Sequence, residues 1–289
     1  MVTFIVGCNM CCTFCVVPTS RGAERCRAMD EILREVRHLL DYGFVEIELL
    51  GQTVNHWRQP QGDGDFADLL EAVASLPALK RLRFVTSYPR DFSPRMIEQF
   101  ARHSNICPYL HLPAQSGSDS VLRRMGRGYS RADYSDLVAA LRLARIDLAL
   151  STDIIVGFPG ESEEDFEAPF DLLREVRFSA LCAFKYSPRP GTAAPRLGPP
   201  VEDAVASERL QRLLALQNDI QLELNEELVG NEMEVLITGP GREIGNWVGR
   251  TACHRVVHFP QKTAPAELGS LIPVQISRAL RNSLLGVAV

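Results

Sequence analysis

Six times in the first ~200 residues a short strand-like run is followed by a loop and then by a segment with helical periodicity, and this alternation constrains the fold more than any other feature. The strand-like runs are Val2 to Val6, Val45 to Leu50, Leu82 to Thr86, Tyr109 to Leu112, Leu148 to Val156 and Ala180 to Lys185. Between them, Ile32, Leu33, Val36, Leu39 and Leu40 form a helical stripe closed by Gly43. Further helices are predicted over Phe66 to Ala74, Pro94 to Ala101, Ala132 to Ala144 and Asp165 to Val176. Strands alternating with helices predict an α/β chain with a parallel sheet covered by helices. Six units predict a partial (β/α)6 TIM-like barrel, open where eight units would close. In such folds chemistry gathers at the C-terminal ends of the strands. Here those ends run into the cysteines after Val6, Gly51-Gln52, Ser87-Tyr88-Pro89, Pro113 to Gly117, Gly157 to Glu161 and Tyr186 to Gly191. One Gly/Pro-rich turn is ordinary; six at one end predict a common site.

The first of these exits carries Gly7-Cys8-Asn9-Met10-Cys11-Cys12-Thr13-Phe14-Cys15. Cys8, Cys12 and Cys15 read as C-x3-C-x2-C, with Cys11 breaking the spacing that Cys12 satisfies. A structural zinc site closes four ligands, and iron–sulfur clusters are normally held by four cysteines. Three thiolates therefore predict a cluster with one iron left open to a small molecule. Two other readings stand beside it: a zinc knuckle recruiting Cys11 or Cys26, and plain buried thiols packing as small hydrophobes. Eight cysteines in 289 residues are too sparse for a disulfide scaffold. With no signal-peptide pattern at the start, the chain reads as cytoplasmic. Cys107, Cys182 and Cys253 read as packing residues.

No apolar run approaches the ~20 residues needed to span a bilayer, so no membrane role is expected. The net charge of −5 argues against wholesale nucleic-acid binding. From Val229 onward, however, six Lys and Arg (Arg242, Arg250, Arg255, Lys262, Arg278, Arg281) face four acidic residues, about +2, leaving about −7 on the rest. Pro188 to Pro200 reads as a crossing loop, and Glu202 to Leu228 as a long amphipathic helix. Then come short strand patterns at Glu232 to Thr238, Trp247 to Arg250, Val256 to Phe259, Leu271 to Ile276 and Ser283 to Val287. These predict a small all-β, OB-like barrel. The domains are thus expected at 1–226 and 227–289.

Taken together, the motifs resemble the methylthiotransferases of the radical S-adenosylmethionine superfamily, and most closely the tRNA-2-methylthio-N6-dimethylallyladenosine synthase branch. The resemblance rests on Gly7-Cys8-Asn9 with Cys12 to Pro18, Arg21-Gly22, Leu50 to Asn55, His111 to Ser118, Thr152 to Glu161 and Phe184 to Thr192. In the tail it rests on Gly249-Arg250-Thr251, Arg255-Val256-Val257 and Asn282-Ser283-Leu284, similar to the TRAM domain, an RNA-binding β-barrel. It covers essentially the whole chain, and implies a radical SAM core over 1–226 and a TRAM domain over 227–289. It further implies that Cys8, Cys12 and Cys15 hold a 4Fe–4S cluster whose free iron binds S-adenosylmethionine. Reductive cleavage then yields a 5′-deoxyadenosyl radical that takes hydrogen from carbon 2 of dimethylallyl-adenosine beside the anticodon. Gly51, Gln52, Ser87, Gln115, Ser116, Asp153 and Gly157 are the implied cofactor contacts, with turn capping as the plain role for Gln115, Ser116 and Asp153. The implied partners are tRNA and a flavodoxin- or ferredoxin-type electron donor, with a monomeric chain. Arg250, Arg255, Arg278 and Asn282 are candidate RNA contacts. Trp247 and Phe259 are expected to fill the small barrel's core.

Departures qualify the resemblance. Family members carry an N-terminal domain with a second three-cysteine cluster; this chain starts inside the first barrel strand and is expected to cleave S-adenosylmethionine without inserting sulfur. Tyr88 stands where His is usual, and His56-Trp57 where Ser-Tyr is usual. The alternatives are a methylthiotransferase acting on threonylcarbamoyl-adenosine or a ribosomal protein, and an inactive RNA-binding remnant.

Overall fold

Two parallel three-stranded sheets form the core of the chain in a computed structural model that describes residues 1–261 and 267–289. Lys262 lies outside the described residues. The first sheet orders Val2–Thr3, Glu46–Leu50 and Arg81–Phe84; the second orders Tyr109–His111, Ala149–Val156 and Ala180–Lys185. Leu82 bridges Ile106 in parallel fashion, with the Leu82 N–H donating to the Asn105 carbonyl at 2.8 Å. That bridge joins the sheets into one open, six-stranded half-barrel, the predicted architecture.

Period-two alternation divides the two faces. Ile47, Leu49, Leu82, Phe84, Leu110, Leu150 and Ile154 are buried against the helices. Phe84, for example, meets Phe66 of the helix Phe66–Ala74 and Phe100 of the helix Pro94–Arg102 at ring separations of 5.2 and 5.7 Å. Glu46, Glu48, Arg81, Arg83, Tyr109, His111, Ser151 and Asp153 alternate with them and line the inner face. Helix starts are well capped: Asp65, Ser130 and Ser162 each complete a reciprocal capping box.

The first strand differs from expectation. Val2–Thr3 pairs with Leu49 and Leu50, but Ile5–Val6 leaves the sheet and pairs antiparallel with Arg25–Cys26. The division falls at Phe4, which is fully buried and stacks on Phe66 at 5.6 Å. Its N–H reaches the Leu50 carbonyl, while its own carbonyl accepts from Arg27. Residues 7–24 therefore project as a loop with a two-stranded base. Two short helices, Val17–Arg21 and Asp119–Met125, have no counterpart in the periodicity reading.

The terminal barrel closes in the order Asn246–Thr251, Val256–Pro260, Leu284–Ala288, Leu271–Ala279, Glu232–Pro240. All neighbours are antiparallel except Val256–Pro260 with Leu284–Ala288. Val235, Ile237, Val257, Phe259, Val274 and Ile276 fill it, with Trp247 half-buried against them, as expected for Trp247 and Phe259. The helix Asp203–Glu226 leads into it, buried on the core through Leu213 and Ile220.

The turn after Thr251 plugs the N-terminal end of the half-barrel's inner face. Arg81 donates to the Arg250 carbonyl at 3.0 Å and to the Glu234 carbonyl at 2.7 Å. Arg83 donates to the Ala252 and Thr251 carbonyls at 2.9 and 2.8 Å and pairs with Glu46 at 3.1 Å. His254 stacks on Tyr109 at 4.6 Å. Arg255 donates to the Ser179 carbonyl at 2.7 Å. Among the described residues, no helix is long and apolar enough to cross a membrane.

Candidate active site at the strand C-termini

The cysteine loop is held by its neighbours before any ligand enters. Gly7 sits at φ +87°, and a Cβ there would lie 2.2 Å from the Ala23 carbonyl oxygen, so only glycine fits. Its N–H donates to Gln52 Oε1 at 2.7 Å. Cys8 N–H reaches the Gly22 carbonyl. Asn9 and Glu24 exchange hydrogen bonds, and Glu24 in turn meets His56 Nδ1 at 3.2 Å, whose Nε2 lies 2.6 Å from Asp91. On the other side Thr13 N–H donates to the Met125 carbonyl and Thr13 Oγ1 to that of Arg124.

Each thiol of the trio receives a hydrogen bond. Met10 N–H points at Cys8 Sγ (3.4 Å), Val17 N–H at Cys15 Sγ (3.5 Å) and Arg127 Nη1 at Cys12 Sγ (3.4 Å). Burial lifts the Cys15 thiol above its ordinary range against the Val17 N–H, and the neighbouring Cys12 and Cys8 add to the rise. Bound metal reverses that order by stabilising the thiolate. No described cysteine is in a disulfide. Cys26 Sγ instead accepts from Arg58 N–H (3.5 Å) at the base of the loop, and Cys11 is exposed. Among the described residues no group of three His, Cys, Asp or Glu side chains converges closely enough to hold one metal ion. Cys11 and Cys26 thus stand apart from the trio's hydrogen-bonded thiols. Three thiols, each met by a donor, suit a multi-iron cluster, whose cysteines reach different irons and whose sulfurs accept hydrogen bonds.

The trio lines a cavity of about 340 Å3 together with Phe14, Gly51, Gln52, Thr53, Ser87, Gln115, Arg127 and Asp153. Ser87 is 2% exposed and its hydroxyl has no partner among the described residues. Thr86 and Gln115 on the cavity wall hold positive φ (69° and 70°) without being glycine, a strain that clusters at functional sites. Asp153 faces His111 Nε2 at 3.5 Å. Phe14, Gln115 and Asp153 also line an adjoining hollow with Tyr186 and Arg189.

Other candidates are placed elsewhere. Ser116 is buried, with its hydroxyl accepting from Ser118 N–H at 3.2 Å, and does not line the cavity. It caps a turn, the plain role weighed for it. Gly157 (φ +71°) also lies outside: its N–H donates to Glu161, which is paired with Arg209 at 2.7 Å, and a Cβ would meet Ala206 at 2.8 Å. Cys182 is exposed, not packed, because it pairs in register with Asp153 and so lies on the open inner face of the half-barrel. Arg255 is drawn into the seat of the terminal barrel by the Ser179 carbonyl. Arg250 donates weakly to the His254 carbonyl at 3.5 Å. Arg278 and Asn282 remain exposed, Asn282 accepting from Gln221.

Periodicity missed Arg127, Tyr129 and Thr53. Tyr88, read only as a departure, lies against Arg127: its phenol, pushed up to about 12 by burial, stays protonated and donates to the Arg127 carbonyl. The available signal was Gly126-Arg127-Gly128, where the glycines at φ 71° and 66° turn the chain sharply after the helix Asp119–Met125.

Comparison with known proteins agrees with this geometry. A tRNA-2-methylthio-N(6)-dimethylallyladenosine synthase from Solibacter usitatus is 42% identical over 98% of the chain, and one from Nitratidesulfovibrio vulgaris 46% over 98%. The chain spans 64% and 65% of those relatives' lengths. Coproporphyrinogen III oxidase from Escherichia coli, a radical SAM enzyme, shares the fold at TM-score 0.55 and 16% identity, over 75% of this chain and 52% of that one. A radical S-adenosylmethionine methyltransferase from Kitasatospora setae, solved with cobalamin and a 4Fe–4S cluster, does so at 0.55 and 16%, over 81% and 41%. A TRAM domain model matches residues 226–289. The radical SAM superfamily model matches residues 2–173, taking in the cysteine loop and five of the six core strands, and the chain belongs to that superfamily.

Proposed function

We propose that this chain is the radical SAM and TRAM portion of a tRNA methylthiotransferase, acting at carbon 2 of N6-dimethylallyladenosine beside the anticodon. The family's cofactors are a 4Fe–4S cluster and S-adenosylmethionine. The observation that carries the reading is the convergence of Cys8, Cys12 and Cys15 with Gly51, Gln52, Ser87, Gln115 and Asp153 on one cavity at the strand C-termini. When bound, the cluster supplies the electron that splits S-adenosylmethionine into methionine and a carbon radical.

The chain's own residues bind and orient. Cys8, Cys12 and Cys15 hold the cluster, while Gly7, Gln52 and Glu24 fix the loop that carries them. The free Ser87 hydroxyl and the Gln115 amide offer hydrogen bonds to the amino acid or ribose end of the cofactor. The Asp153 carboxylate offers acceptors for an amine or ribose hydroxyl. Phe14, edge-on to Phe158 at 6.3 Å, walls the cavity with apolar surface and keeps water from a radical. The substrate assignment is supported by the relatives' names and by the TRAM match.

The terminal barrel sits at the opposite end of the strands. Arg83 contacts it and Ser87 lines the cavity, roughly 13 Å apart along the chain at the usual strand rise. In this reading the exposed Arg278 and Asn282 of the barrel are assigned to tRNA phosphates, with one nucleotide reaching the cavity. Arg255 supports the seat of the barrel. The test is anaerobic reconstitution with iron and sulfide followed by reaction with S-adenosylmethionine and a reductant. A brown protein releasing 5′-deoxyadenosine, both lost in Cys12→Ala, supports the reading; a colourless protein sinks it and favours an RNA-binding remnant. Nucleoside mass spectrometry on tRNA from a deletion strain complemented with the gene identifies the modified base.

A further inference from the structure

Four arginines are buried in the described residues: Arg81, Arg83, Arg127 and Arg209. Arg81 and Arg83 pair with Glu46, and Arg209 with Glu161 and Glu163. Arg127, 6% exposed, has no carboxylate partner among the described residues. A buried guanidinium without an anion is costly, so its surroundings show what it is kept for. Its Nε donates to the Tyr129 hydroxyl at 3.0 Å and its Nη2 to the Pro113 carbonyl at 3.3 Å. Its carbon lies 4.4 Å from the centre of the Tyr88 ring and 5.4 Å from that of Tyr129. The backbone is fixed as well, because the Tyr88 hydroxyl donates to the Arg127 carbonyl. This aromatic box leaves Nη1 aimed at Cys12 Sγ, 3.4 Å away.

We propose that Arg127 is a positioning residue for the cluster, supplying to the Cys12 thiolate a charged hydrogen bond that raises the cluster's reduction potential. The missing counter-anion is the cluster with its thiolates. Hydrogen bonds to the ligating sulfurs and nearby positive charge both favour the reduced, more negative cluster. Tyr88, Tyr129 and the Pro113 carbonyl serve to hold the guanidinium in place. The inference rests on the reading that Cys8, Cys12 and Cys15 hold that cluster.

The experiment is a potentiometric titration followed by electron paramagnetic resonance, on the reconstituted full chain without S-adenosylmethionine. Arg127→Gln is expected to keep wild-type iron and sulfide per chain. At a fixed poise its ratio of reduced to oxidised cluster is expected to fall about tenfold, a shift of about 59 mV to more negative potential for one electron. Arg127→Lys, which keeps charge, should fall between the two. Tyr129→Phe, which frees Nε, should shift in the same direction by less. An unchanged midpoint in iron-replete Arg127→Gln overturns the proposal, as does a shift appearing only once S-adenosylmethionine is added, which would place Arg127 on that ligand. If Arg127→Gln takes up no iron, Tyr129→Phe and Arg127→Lys decide: midpoints equal to wild type overturn the proposal, and graded negative shifts uphold it. Wild-type protein that takes up no iron and sulfide sinks the cluster reading itself, a result distinct from all of these.

Discussion

Acidification from pH 7 to pH 5 is expected to weaken the seat between the terminal barrel and the core, through His254. This residue holds φ +70°, a left-handed conformation that histidine tolerates better than most residues. Its ring lies 4.6 Å from that of Tyr109, near Arg83 and Arg250. Burial, with added repulsion from those two guanidiniums, pushes its pKa down from 6.5 to about 4. The unfolded chain therefore binds more protons than the folded chain between pH 6.5 and pH 4. The stabilisation is whole above the unfolded value and is lost as pH falls towards the folded one. Integrating from pH 7 to pH 5 gives a loss of about 2 kcal/mol, an upper figure for a partly solvated group. Urea denaturation at the two pH values measures it. His254→Asn suits the left-handed backbone and does not titrate, so its stability should change less across that interval by about the same ~2 kcal/mol. Equal losses in wild type and His254→Asn would refute the assignment of the pH dependence to this ring.

Arg255→Ala should lower the thermal midpoint, because it strips the Ser179 carbonyl of its donor at the seat (about 1–3 kcal/mol). Arg278→Ala should leave the midpoint unchanged and weaken tRNA binding in a filter assay, most visibly at low salt. Gly7→Ala should cost at least about 1–2 kcal/mol from the left-handed backbone alone. Because the new Cβ also meets the Ala23 carbonyl, iron uptake on reconstitution should fall with it. Arg209→Ala strands the buried Glu161 carboxylate and should cost about 3–5 kcal/mol in urea denaturation, whereas Arg212→Ala, whose pairs are solvent-exposed, should cost no more than about 1 kcal/mol.

Much of this molecule was legible wherever a physical rule is local. The strand Ala180–Lys185 and the helix Phe66–Ala74 have the expected bounds, since each is delimited by its own periodicity and turn residues. The five short strands of the terminal barrel follow from the same alternation. The two short helices escaped because five and seven residues are too few to establish a helical stripe. Asp119–Met125 nevertheless has the end signals, Ser118 as N-cap and Gly126 in the left-handed C-terminal position. The division of the first strand was not legible, for Val2 to Val6 reads as one apolar run until Phe66 is known to lie under Phe4.

Residue type says least about which partner a charge will find. Arg255 and Arg278 belong to one weakly basic tail, yet one is spent on a carbonyl of the core and the other faces solvent. What separates them is tertiary: position 255 follows the turn that enters the half-barrel, and position 278 follows a break in strand register between Ile276 and Arg278 on the outside. The same holds at the cavity. Cys12 and Arg127 are 115 positions apart, and only the closing of the half-barrel brings the guanidinium to the sulfur. A motif read from spacing identifies ligands that are neighbours in the chain. The Cys8 and Cys15 sulfurs take their donors from the loop itself, but the one charged donor comes from the turn after the helix Asp119–Met125, so the tuning proposed for Arg127 is a property of the assembled barrel and not of the cysteine loop alone.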